Sequence, residues 1–414
     1  MTATAHKTNS DFPNLTDPRT FVEDVPFEAF ARMRRLPGLY WQPTTIATAN
    51  GGFWAVTRFA DIVAVEKDPA TFTSTKGAAY PITNQQESVL TSDSLILTDP
   101  PRHSHLRRAA AKGFGPRVVA NFEPWVREIV CEVVDRIQSL DTFDWVDEVA
   151  RTIPARVIAR VVGAPREDEP LIVQWTLALF AATQQTEDLG EGAGTTQATI
   201  KVMMEVAPYI EKLQKLKREQ PADDMFTELG RCVDKGELTQ SEFLCWMFLM
   251  MVAGFETTHT AIGHSMRLYL TDQVVADRTA RAIGEGRTNR VVDEFLRLIS
   301  PPMEMARTAT RDLEFAGEQI RKDDVMVLYY ISANRDERVF ANPDEFDPWR
   351  SETDSLAFGT GVHRCIGAYL AQLELKVLWE ELHKRGLKLR LNGEPKRGWS
   401  VFINQLTALP VRKA

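Results

Sequence analysis

The chain has 414 residues, 44% of them hydrophobic and 26% charged, which is enough apolar material for a large buried core. Its net charge of −8, from 49 basic and 57 acidic residues, gives no support for nucleic acid, which calls for a basic face. The four cysteines, Cys131, Cys232, Cys245 and Cys365, form no C-x-x-C pair and suit neither a disulfide framework nor a structural zinc site, so a reducing cytoplasm is expected.

Residues 1–17 are polar, with no apolar core for a secretory signal, and are expected to form a flexible N-terminal segment. Residues 18–414 show no repeat, low-complexity tract or linker, and a single domain is predicted. Tyr40-Trp41 and Phe53–Val56 flank Asn50-Gly51-Gly52, a hairpin signal because those residues tolerate positive φ. His103 and Arg107 have the H-x-x-x-R spacing that puts both on one helical face. Apolar residues recur at three- and four-residue spacing over 119–138, 151–162, 197–216, 241–272, 275–299 and 366–385, each predicted helical. The glycine-rich stretch Gly190–Thr196 reads as a surface loop, or more sharply as a lid. The apolar run Phe243–Phe255 stops at Glu256 and falls short of the roughly 20 residues of a bilayer span. A buried core helix is expected there, and no stable membrane anchor. Strand-rich stretches follow at Leu313–Glu318 and Val325–Tyr330. The predicted architecture is mainly α with small β-sheets.

Three segments carry chemistry. In Ala253-Gly-Phe-Glu-Thr-Thr258 an acid and alcohols interrupt an apolar helix, where a threonine hydroxyl can bond back to an earlier carbonyl. With Gly254 three positions before Thr257, the helix is expected to open a groove, a feature that tends to mark functional sites. Glu294-Phe-Leu-Arg297 has the spacing of an ordinary helical ion pair. The third segment, Phe358-Gly-Thr-Gly-Val-His-Arg-Cys-Ile-Gly367, delivers Cys365 on a glycine-rich loop to the start of a helix. Free N–H groups and a partial positive charge there favour the thiolate. Gly359 and Gly361 allow the backbone to approach a flat ligand closely. A merely structural cysteine leaves those glycines, His363 and Phe358 unexplained.

This last segment matches, at every fixed position, the F-G-x-G-x-H-x-C-x-G signature of the cytochromes P450. From about residue 20 to 411 the chain resembles the soluble bacterial type. The resemblance implies haem b buried between the long central helix and the cysteine-loop helix, with Cys365 as the iron ligand. An anionic sulfur in that position favours O–O cleavage. The match further implies that Phe358 packs beneath the porphyrin, that Gly359 belongs to the cradle, and that Gly367 lets the next helix pass close. His363, His103, Arg107 and Arg307 are implied as partners of the two propionates, since buried carboxylates require cations. Ala253–Thr258 resembles the family's oxygen-activating motif, which assigns Thr257 to a hydrogen bond with the activated oxygen and Glu256 to proton delivery. Glu294 and Arg297, with Arg350, are implied as a buried structural charge network.

The implied activity is monooxygenation: one atom of O2 enters an unactivated C–H bond of a neutral hydrophobe of terpenoid, steroid or aromatic-hydrocarbon type. The chain has no dinucleotide loop and no cysteine cluster for iron–sulfur, so electrons are expected from a separate ferredoxin and an NAD(P)H-dependent reductase. Arg108, Lys112, Arg117 and Arg364 form a candidate docking patch. By family position the pocket draws on Tyr80, Phe180, Val252, Ala253, Met303, Met305 and Phe402, with Ile82 nearby. A monomer is expected. The rival functions are a peroxide-driven peroxygenase on the same fold and a non-catalytic haem sensor or carrier.

Overall fold

The computed structural model describes residues 11–46, 48–81, 93–183, 193–222 and 224–414. A five-stranded sheet has the order Tyr40–Pro43, Gly52–Val56, Val325–Leu328, Met305–Ala309, Phe72–Thr73. The expected hairpin forms its edge, with Tyr40 opposite Ala55, Pro43 opposite Gly52, and Gly51 at φ 79 in the connection. Side chains alternate across a strand. Phe53, Ala55, Val325 and Val327 therefore feed one buried cluster, while Trp54, Val56, Met326 and Leu328 feed another on the opposite face. Burial on both faces explains why these strands read as unbroken apolar runs.

Of the expected flexible segment 1–17, residues 1–10 lie outside the described residues, and residues 11–17 pack on the sheet. Leu15 is wholly buried and its N–H donates to Gln42 Oε1 at 3.0 Å, while Phe12 meets the Tyr40 ring edge-on at 4.9 Å. Two apolar side chains among polar ones are enough to dock the segment on the sheet.

The largest core is helical, and the 32-residue helix Gln240–Thr271 runs through it. A reciprocal capping box starts that helix: Thr239 Oγ1 accepts from Glu242 N at 3.1 Å, and Glu242 Oε2 accepts from Thr239 N at 2.7 Å. Among the described residues no helix is long and apolar enough to cross a membrane. The helix stays α-helical throughout, so the expected groove at Gly254 is not an opening of the backbone. Gly254 instead admits the helix Thr152–Val161, since a Cβ there would sit 2.5 Å from Ile158 Cδ1. The run 275–299 is two helices, Gln273–Gly284 and Thr288–Ile299, broken where Gly286 takes φ 74. The helix Glu169–Thr183 escaped the periodicity reading because apolar residues occupy all its faces. Residues 190–192 of the predicted loop lie outside the described residues, and Ala193–Thr196 already belong to the helix Ala193–Glu219.

Glu294, Arg297 and Arg350 meet in a buried network. Arg297 reaches Glu294 through Nε at 2.8 Å and Nη2 at 2.9 Å, and Arg350 Nε lies 3.3 Å from Glu294 Oε1. Arg297 also donates to the carbonyls of Asn334, Pro343 and Glu345 at 2.6–2.9 Å. Glu294→Gln would leave two buried guanidinium groups without a counter-charge. Urea unfolding is expected to show a loss of about 3–5 kcal/mol.

Candidate active site

The cysteine loop is a closed turn before the helix Ala368–Arg385. Cys365 N–H donates to Phe358 O at 2.8 Å and Gly359 N–H to Leu356 O at 3.0 Å. Gly359 and Gly361 take φ 63 and 65, which disfavours any side chain. A Cβ on Gly361 would also collide with the carbonyl oxygen of Glu66. Cys365 is an exposed residue although protein packs around its sulfur. Desolvation raises its thiol pKa, against the downward pulls of the Gly367 N–H, Arg107 and Arg364. The helix terminus alone was expected to favour the thiolate; desolvation outweighs it.

Cationic residues gather beside this loop. His103 and Arg107 lie on the helix Arg102–Phe114, as their spacing requires. Arg107 Nη2 donates to Arg364 O at 2.6 Å. His103 is 1% exposed, and neither ring nitrogen has a hydrogen-bond partner among the described residues. Its ring centroid lies 4.2 Å from that of His363. Desolvation, then the neighbouring His363 and Arg107, push the His103 pKa down to about 4. His363 Nε2 lies 3.1 Å from Ser74 Oγ and 3.8 Å from Asp99 Oδ1. Arg307, on the strand Met305–Ala309, donates to Glu66 Oε1 at 3.2 Å and to Ala306 O at 2.7 Å. Glu66 and Asp99 gave no signal in the sequence: each is an ordinary acid in an ordinary element until the fold surrounds it.

On the long helix, Thr257 Oγ1 donates to Ala253 O at 2.9 Å, the back-bond expected of a helical threonine. Glu256 makes no ion pair among the described residues, and burial alone pushes its pKa up to about 7. Ala253 is exposed although it lies midway along the longest helix, with Val252, Glu256 and Thr257 half-buried around it. No hydrogen bond joins Glu256 or Thr257 to the cysteine loop among the described residues. The two parts are related through packing of the long helix on the helix Ala368–Arg385.

The predicted pocket residues divide. Val252, Ala253, Met305 and Phe402 keep accessible surface. Met303 is wholly buried; Tyr80 packs on Phe53 at 4.8 Å; Phe180 meets Phe255 and His259 at 5.2 and 5.0 Å. These three belong to buried hydrophobic clusters, which residue type alone cannot reveal. Ile82 lies outside the described residues. Arg108, Arg117 and Arg364 are exposed, and the side chain of Lys112 lies outside those described.

An acid whose folded-state pKa is raised costs stability only as pH climbs above its ordinary value of 4.5, and the cost is complete above about 7. Glu256→Gln is therefore expected to match the wild type near pH 4 and to exceed it near pH 8 by on the order of 3 kcal/mol. Urea unfolding across that range checks the sign and size.

Comparison with known proteins accords with this geometry. Residues 67–382 match the family model for cytochrome P450. Linalool 8-monooxygenase of Pseudomonas putida is 30% identical over 408 residues, which cover 96% of this chain and 98% of that protein. Steroid C26-monooxygenase of Rhodococcus jostii is 28% identical over 407 residues, covering 96% and 84%. A solved Mycobacterium marinum cytochrome P450 in complex with pseudoionone superposes with a TM-score of 0.86 at 27% identity, covering 99% of this chain and all of that one. The chain belongs to the cytochrome P450 family and is a monooxygenase of the bacterial type.

Proposed function

We propose that this enzyme inserts one atom of O2 into an unactivated C–H bond of a neutral terpenoid or steroid-like hydrophobe, with haem b bound through Cys365. The observation that carries the reading is His103. Two unpartnered ring nitrogens, buried beside Arg107 and Arg307, suit the propionates of a haem whose iron meets the nearby sulfur. Bound there, the haem supplies dioxygen activation, which thiolate donation assists. Gly359 and Gly361 keep the loop close, Phe358 packs against the helical core while its carbonyl accepts from Cys365 N–H, and Gly367 directs its N–H to Cys365.

The protein's own contribution on the long helix is proton handling. Glu256, with a pKa of about 7, can take and release a proton near neutral pH. The hydroxyl proton of Thr257 is engaged by Ala253 O, so its lone pairs remain available to accept a hydrogen bond from the reacting oxygen. The accessible candidates Val252, Ala253, Met305 and Phe402 are all apolar, and Arg307 is paired with Glu66. Such side chains suit a neutral substrate. Relatives named for linalool and steroid oxidation support the substrate class. A ferredoxin with its NAD(P)H-dependent reductase would supply electrons, docking near exposed Arg108, Arg117 and Arg364 in a salt-sensitive way. A cytoplasmic monomer completes the reading.

A spin-shift screen of apolar compounds against the ferric protein identifies substrates, and a ferredoxin–reductase system then tests turnover. Thr257→Ala is expected to go on consuming NAD(P)H while losing coupling to product roughly tenfold or more, with hydrogen peroxide released in its place. Cys365→Ala should abolish the thiolate-type band of the reduced carbon-monoxide complex. Retention of that band would sink the assignment.

A further inference from the structure

Glu66 ends the helix Phe59–Glu66, and its side chain is 1% exposed. Three donors from three separate elements converge on it. Arg307 Nη2 donates from the central sheet at 3.2 Å, Tyr330 OH from the turn after Val325–Leu328 at 2.5 Å, and Thr360 N–H from the cysteine loop at 2.9 Å. Contact continues along the loop: a Cβ on Gly359 would lie 3.2 Å from Tyr330 OH and 3.5 Å from Glu66 Oε1, and Gly361 abuts the Glu66 backbone. Cys365 N–H is tied back to Phe358 O, so the anchor at Thr360 lies within the closed turn that carries the sulfur. Stability alone does not account for the arrangement, since buried ion pairs are often replaceable by apolar side chains without loss. What the carboxylate supplies is geometry and charge: it binds the loop and Arg307 to one point and cancels the charge of Arg307.

We infer that Glu66 is a positioning residue, which holds the cysteine loop and Arg307 in a fixed relation and sets the charge beside the bound haem. The inference rests on the haem-thiolate reading above. It assigns a role to an acid outside every motif, and Tyr330 is its hydroxyl-bearing partner.

Glu66→Gln is the main test, made on the haem-loaded protein. The amide is isosteric and can still accept from Tyr330 and Arg307, but it loses the charge and turns an N–H2 toward Thr360 N–H. An unneutralised Arg307 favours the reduced haem, so the midpoint potential is expected to rise. Haem transfer to an excess of acceptor protein should quicken about tenfold, the scale of one charge-assisted hydrogen bond. The share of the carbon-monoxide complex with the thiolate-type band should fall. Glu66→Asp keeps the charge and should return the potential toward wild type, while its shorter arm still loosens the loop. Tyr330→Phe keeps the charge as well and should speed haem transfer by a smaller factor.

A Glu66→Gln protein with wild-type potential, haem transfer and thiolate band would overturn the inference even if its melting temperature dropped, because a purely structural role predicts only the drop. Should Glu66→Gln fail to fold, Glu66→Asp and Tyr330→Phe decide: wild-type haem transfer in both overturns it. Failure of the underlying reading looks different, since the wild type itself would then lack a thiolate band that Cys365→Ala removes.

Discussion

Burying the Glu294 carboxylate is tolerable only because two guanidinium groups and a backbone N–H surround it, and much of the chain is arranged around that requirement. Arg297 spends its remaining donors on carbonyls of 334–345, which fixes the long irregular segment before the cysteine loop. From there the path to the loop is short. Asn334 Oδ1 accepts from Leu356 N at 2.6 Å, and Leu356 O accepts from Gly359 N at 3.0 Å. The network is remote from the sulfur, yet each bond along it restricts where the loop can sit. Buried charges of this kind are poor evidence for stability and better evidence for a specified geometry.

Some buried polar groups pair with an opposite charge, and others have no partner among the described residues. Glu66 pairs with Arg307, and Glu294 is shared by Arg297 and Arg350. Among the described residues, neither ring nitrogen of His103 has a hydrogen-bond partner and Glu256 makes no ion pair; burial lowers the pKa of the first to about 4 and raises that of the second to about 7. Leaving a buried group unsatisfied carries a cost that the rest of the core must offset. His259, His264, Glu304 and Glu374 also keep a buried side-chain atom without a hydrogen-bond partner among the described residues; His103 and Glu256 differ from them in lying where a cofactor or a proton is expected to arrive, and perturbed pKa values are a recognised mark of working sites. The raised thiol of Cys365 belongs with them, since protein burial and helix-terminus stabilisation act in opposite directions on the same sulfur.

Small residues do unlike work in this molecule. Gly361 is required by its backbone angle and by the Glu66 carbonyl behind it. Gly254 has an ordinary helical conformation, and the tip of the Ile158 side chain on the neighbouring helix occupies the space its own side chain would enter. In the sequence both look like glycines next to functional residues. Only the first is there for the loop; the second brings a helix close to the stretch that carries Glu256 and Thr257.

The amino-acid sequence by itself determined the parts that are local. The cysteine loop, the Glu256-Thr257 pair, the His103/Arg107 face and the Glu294/Arg297 pair each lie within one short segment, and their meaning depends on spacing of ten residues or fewer. The hairpin and most helices were legible for the same reason. What only the tertiary structure decided depends on partners far apart in the chain. Glu66 meets Arg307 across 241 positions and Thr360 across 294, so nothing near Glu66 announces its role. Tyr80, Phe180 and Met303 became core, and Ala253 stayed open, because packing from other elements decides which face of a residue is covered. The docking of Leu15 is of the same kind, since a buried contact depends on what the fold places beside it.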